Sequence, residues 1–228
     1  MANTEQKPER NVKNFIFRCF ICFIGLFVMS FGVAFSIKAG IGTTPISSLP
    51  YVGSLVTPLT VGNCSIIMHA AFILIQILIL RKDYKLFQLI QIPVSLAFGY
   101  LTDFAVWVLS WVQPKNYLEN WIFTIIGIVI VGIGVNIQVK SNITTLPGEG
   151  ISLAICQKTS KIKFSTMKII FDTSLVVSAC ILSLITMHTI NGVREGTVAA
   201  ALCVGLVIKG MNKILAKISG KQPEAGRS

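Results

Sequence analysis

Charge is what this sequence has least of. Of its 228 residues, 13% are Asp, Glu, Lys or Arg while 53% are hydrophobic, and its mean hydropathy is +0.74. A soluble domain carries about 25% charged residues, so a water-soluble fold of this size is excluded. Acidic residues number nine and histidines two, and no P-loop, HExxH or GxSxG string occurs. Nothing arranges a nucleophile, base and orienting group. The chain is therefore read as not an enzyme, with no cofactor and no metal expected. The six cysteines fall almost entirely within apolar runs. Cys19 and Cys22 form a CxxC on a continuous apolar stretch, with no second pair to complete a zinc site. They read as small hydrophobes.

What the sequence has instead is apolar runs of about 20 residues, the length that crosses a hydrocarbon layer of about 30 Å. Spans are expected at about Phe15 to Ile37, Asn63 to Leu80, Leu89 to Val112, Trp121 to Val139, Met167 to Met187 and Glu195 to Leu215. The first is too long for a signal-peptide core and is read as a retained span. Residues 1–14 read as a cytoplasmic lead, 113–120 as a linker and 218–228 as a cytoplasmic tail. The net charge of +11 does not point to nucleic acid, because the Lys and Arg residues cluster between the spans, where they meet anionic headgroups.

The chain also says the same thing twice. Gly25 to Leu49 (GLFVMSFGVAFSIKAGIGTTPISSL) aligns without a gap on Gly127 to Ile151 (GIVIVGIGVNIQVKSNITTLPGEGI). Gly32 meets Gly134, Lys38 meets Lys140, Thr43 meets Thr145 and Pro45 meets Pro147. Each copy runs from an apolar span into a broken stretch rich in Thr, Gly and Pro. With three spans per half and the broken stretches re-entrant, every Lys and Arg except Lys38, Lys115 and Arg194 falls on the cytoplasmic side. An odd number of spans per half inverts the second copy. The expected fold is an all-α membrane protein: repeat 1 over 15–112, repeat 2 over 121–217, six spans in all.

The paired breaks carry the candidate site. Thr or Ser before Pro is a helix-start signature. A short helix that starts inside the bilayer aims its free N–H groups and positive dipole end at what lies there. Thr43, Thr44 and Ser47 in one copy, and Thr144, Thr145 and Glu149 in the other, are therefore expected to bind substrate near the midplane. Asp172 joins them because an ionisable residue within a span is costly unless it has a task. Arg194 and Glu195, flanked by glycines, are expected to gate or clamp a broken segment. His69 and Asp103 are further candidates on the same ground, while Lys209 is read as snorkelling.

QIPVSLAFGYLTD (91–103), TTLPGEG (144–150), GVREGT (192–197) and the duplicated GIGTTP segment resemble the YitT/YczE/YyaS group of bacterial integral membrane proteins. The resemblance covers roughly Phe15 to Leu215. It implies a bacterial cytoplasmic-membrane protein of five or six spans and little about activity. With the duplication, the expectation is a small-solute secondary transporter using alternating access, its partners the bilayer and an anionic or zwitterionic solute, with homo-oligomerisation open. The alternative is a non-transporting accessory or regulatory membrane protein.

Overall fold

A computed structural model describes residues 12–159 and 162–219. The expected lead before Val12 and tail after Ser219 lie outside the described residues. All regular structure among those residues is helical: α1 (Val12–Ala39), α2 (Pro45–Val56), α3 (Val61–Leu80), α4 (Gln91–Val108), α5 (Tyr117–Ser141), α6 (Pro147–Thr159), α7 (Phe164–Met187) and α8 (Glu195–Ser219), with short 3₁₀ turns around α4. Six segments, centred on α1, α3, α4, α5, α7 and α8, are long and apolar enough to cross a membrane. The chain is a multi-pass membrane protein. At about 1.5 Å per residue, α2 and α6 reach only about 18–20 Å, too short to cross.

The broken stretches thus contain helices, and each starts at its proline. Pro45 is the first residue of α2, after an extended Thr44, and Pro147 is the first residue of α6. The break after α1 depends on glycine: Gly40 and Gly42 have φ of 74° and 107°, a region that side-chain-bearing residues avoid. Other helix ends are closed conventionally. Asn116 caps α5 by accepting from the Glu119 N–H at 3.0 Å, and the Glu119 carboxylate reaches back to the Lys115 N–H at 2.7 Å. Asn142, in the left-handed region, ends that helix.

Helices α1 and α5 form the centre. A Cβ added at Gly32 would stand 2.5 Å from the Val131 backbone N, and one at Gly134 would stand 2.5 Å from the Met29 N. Gly25 faces Gln138 and Gly127 faces Ser36 in the same way. Residue numbers fall on α5 as they rise on α1, so the two helices run antiparallel. In lipid, where apolar side chains gain nothing by leaving their surroundings, small residues let backbones close to van der Waals contact. α4 packs parallel to α1, with Thr102 bonded to Ser30 at 3.4 Å and Phe104 against Phe31. α8 packs parallel to α5, tied by Tyr117 to Glu195 at 3.1 Å and Asn136 to Asn212 at 2.7 Å. α2 lies on α7, and α3 lies on α6.

These directions give the molecule two ends of different charge. Arg81, Lys82 and Lys85 between α3 and α4, Lys140 at the end of α5, Lys158 near the end of α6 and Lys163 before α7 share one end. The Lys158–Asp83 ion pair at 3.0 Å joins two of those connections directly. Lys38, Lys115 and Arg194 lie toward the other end.

Replacing Gly32 or Gly134 by Leu drives a side chain into the facing backbone, and overpacking of this kind costs about 1–3 kcal/mol. Either variant is expected to lower the melting temperature of the purified protein. The same change at Gly210, whose Cβ would meet nothing within 4 Å, leaves it within error.

Candidate functional site

A cavity of about 250 Å³ opens beside the α1–α5 pair. Its floor is apolar: Met29 and Val33 of α1, Phe98 of α4, Val131 and Val135 of α5, and Val204 and Ile208 of α8. Polar groups gather where α2, α6 and α7 approach. Thr44 comes from the N-cap and Ser47 from the first turn of α2, Glu149 from the first turn of α6, and Lys168 and Asp172 from successive turns of α7. The two helix starts touch, because a Cβ on Gly148 would collide with the Ile46 side chain. A larger residue at 148 would make the end of the Ile46 side chain move aside.

The charges are unequal. Lys168 and Asp172, one turn apart, pair at 2.9 Å with about a quarter of each side chain exposed. Glu149 lines the same cavity as both, and no donor among the described residues hydrogen-bonds its carboxylate. With all three ionised the cluster carries one net negative charge. Asp172 lies eight residues into α7, about 12 Å along its axis from Phe164, so the cluster sits within the depth of the hydrocarbon layer. On the α2 side the Thr44 hydroxyl donates to Ser47 Oγ at 3.0 Å. Gln138 of α5 is buried to 3% exposure, lines the cavity and leaves its Nε2 without a partner.

The structure divides the other sequence candidates. Thr144 and Thr145 do not share the cavity of Thr44 and Ser47. They line a second cavity of about 180 Å³ with Gln76, Gln88, Gln91 and Gln157. Gln76 there donates to Gln91 Oε1 at 3.1 Å and to the Pro147 carbonyl at 3.0 Å, and so holds the start of α6 in place. Thr43 is fully buried with its hydroxyl unpartnered and lines neither cavity. His69 is buried between Phe72 and Phe98, also away from both.

Asp103 is a structural clamp. Its carboxylate accepts from the Gly62 N–H at 2.7 Å and from the Thr60 hydroxyl at 2.6 Å, satisfying the free donors at the start of α3. Arg194 and Glu195 pair with each other at 3.2 Å and are partly exposed. The clamping in that loop is done by the backbone: the Gly196 N–H donates to the Ile41 carbonyl at 2.8 Å, and Gly42 packs against Thr197. Gln138, Lys168 and the glutamines of the second cavity are the residues that sequence reasoning missed. A lone Gln inside ILIQILIL (73–80), and a Lys four residues before an Asp, were the available signals. No group of three or more His, Cys, Asp and Glu residues able to hold a metal occurs among the described residues.

Fold and site together define a multi-pass helical membrane protein with a charged cavity inside its helix bundle. The chain belongs to a family of unknown function, DUF6198, which matches residues 16–213. It is similar to an uncharacterized protein of Haemophilus influenzae, 25% identical over 199 residues that cover 87% of this chain and 84% of that one. It is also similar to two Bacillus subtilis proteins. Uncharacterized protein YyaS is 26% identical over 58% of this chain and 65% of the relative. Uncharacterized membrane protein YczE is 28% identical over 60% and 62%. The chain thus spans a little under two thirds of those two relatives. No solved structure matches.

Asp103→Ala is expected to cost about 1–2 kcal/mol of stability through the lost cap. Ligand binding at the cavity should stay unchanged when compared at equal folded concentration. A melting curve and a binding isotherm on the same sample check both halves of this statement.

Proposed function

We propose that this protein is a small-solute secondary transporter of the cytoplasmic membrane, with two inverted three-span repeats that rock about the cavity between them. The observation that carries this reading is the cavity's composition. Thr44 and Ser47 come from the first half, Glu149 and Asp172 from the second, and both short helices begin at its wall. Irregular backbone at membrane depth is tolerated where it is buried or lines a watery space, and broken helices around a central site are a transporter device.

The inverted arrangement is supported by the antiparallel α1–α5 contact, in which the duplicated Gly32 and Gly134 each press on the other helix. Matching contacts recur: α4 on α1 as α8 on α5, and α2 on α7 as α6 on α3. The concentration of Lys and Arg at one end supports a cytoplasmic placement for that end, with α2 and α6 re-entrant. In this scheme the chain supplies the site, and a gradient supplies the energy.

The solute fits as a zwitterion. The first turn of α2 presents hydroxyls and the positive end of a helix dipole to an anionic group. Glu149, with Lys168 already engaged by Asp172, presents the surplus negative charge to a cationic one. A metabolite screen by thermal shift on the purified protein is expected to yield a solute that raises the melting temperature by several degrees. Glu149→Gln or Asp172→Asn should abolish that shift, and the same solute should enter proteoliposomes containing the protein. A screen in which no solute stabilises the protein, or one whose hits survive both substitutions, contradicts the proposal.

A further inference from the structure

The matching contacts around α1 and α5 have one exception. α4 closes on α3 with Gly99 pressed against Ile66 and the Gly62 carbonyl. α8 makes no comparable contact with α7, and a Cβ on its Gly205 would meet nothing within 4 Å. The loop that joins them folds back on α7, where Val193 packs on Ala179 and the Asn191 N–H reaches Ser183 at 2.8 Å. From there they part toward the basic end. The gap is the mouth of the cavity, edged by Ile169 on one side and by Ala201, Gly205 and Ile208 on the other. Those four residues are apolar, with Lys168 and Asp172 beside Ile169 on the α7 side; an opening between two spans faces sideways, toward lipid.

Behind that apolar mouth stand the two groups without partners. The Glu149 carboxylate takes no hydrogen bond from the described residues, and the Gln138 Nε2 is buried and unbonded while lining the same cavity. Lys168 is engaged by Asp172, so the acidic group left to a ligand is the Glu149 carboxyl.

Building on the transporter reading, we propose that the zwitterionic solute is the head of an amphiphile that enters from the bilayer between α7 and α8. Its ammonium group binds Glu149, an oxygen beside the amine accepts from Gln138, and its tail lies along Val131, Val135 and Val204. The uncovered α7–α8 edge is then a portal, and the asymmetry between the two halves is the source of specificity for a membrane-borne substrate.

The test uses the full chain in phosphatidylcholine nanodiscs, melted in the presence of dodecylamine, dodecyl sulfate or propylamine. Dodecylamine is expected to raise the melting temperature, dodecyl sulfate to do nothing, and propylamine to act only at far higher concentration. Glu149→Gln should weaken dodecylamine binding by about tenfold or more, the loss of one charge-assisted hydrogen bond. Gly205→Trp should block it by filling the mouth, and Gly210→Trp, one and a half turns further along α8 and outside the cavity lining, should not. If Gly205→Trp does not fold, Ala201→Trp tests the same closure.

Equal stabilisation by dodecyl sulfate overturns the charge assignment. Propylamine acting as well as dodecylamine and unaffected by Gly205→Trp overturns entry from the bilayer. No response to dodecylamine overturns the amphiphile altogether. In each of these cases a water-soluble solute taken up by proteoliposomes leaves the transporter reading standing, and a failed solute screen removes that reading separately.

Discussion

The close approach of α1 and α5 sets the geometry of everything around it. Four glycines, Gly25, Gly32, Gly127 and Gly134, bring the two backbones together over most of their shared length. No hydrophobic force drives helices together in lipid, so contact depends on how well the surfaces fit. With that pair fixed, α4 and α8 find their places on opposite flanks. The short helices α2 and α6 pack on α3 and α7 and fill part of the space beside α1 and α5. The cavity is what remains where this filling is incomplete.

Polar groups inside the bundle follow the same constraint. A buried amide or carboxylate without a partner is costly at this depth, and most here are satisfied locally. Gln76 holds the start of α6 through the Pro147 carbonyl, and Asp103 holds the start of α3. Lys168 and Asp172 neutralise one another. Glu149 and the unpartnered Gln138 Nε2 converge on one cavity, and the carboxyl of the first distinguishes it from the glutamine-lined cavity nearby, where the Gln88 Oε1 is unpartnered as well. The latter offers amides and hydroxyls with no charge among its lining residues, and its Gln76–Gln91 bond fits a structural part of the bundle.

Most of the fold was legible in the sequence, because hydropathy and length decide what crosses a bilayer. The apolar runs became spans within a few residues, and the Thr–Pro and Leu–Pro steps at Pro45 and Pro147 marked where the short helices begin. The site was legible only in part. Glu149, Thr44 and Ser47 of the paired breaks come together with Asp172, which its ionisable side chain within a span had singled out, whereas Thr144 and Thr145 face another space. Sequence symmetry implies equal environments for repeat mates, but their neighbours differ: Gln76 of α3 stands beside the second break, and no glutamine occupies the matching stretch of α7. Lys168 looked like a topological charge because its partner lies one helical turn on, a relation that clusters of Lys and Arg conceal. The gap between α7 and α8 left no trace in composition, since a helix edge facing lipid and one facing another helix are equally apolar.

Cross-linking α1 to α5 in native membranes tests the central contact most directly. In a chain whose six native cysteines are replaced, and with a protease site placed in the 113–116 loop, the pair Met29→Cys and Gly134→Cys should form a disulfide. That bond would hold the two proteolytic halves together until reduction. The pair Met29→Cys and Gly127→Cys, about two turns out of register, should not. Halves that separate in the first pair, or remain joined only in the second, would contradict the antiparallel α1–α5 core.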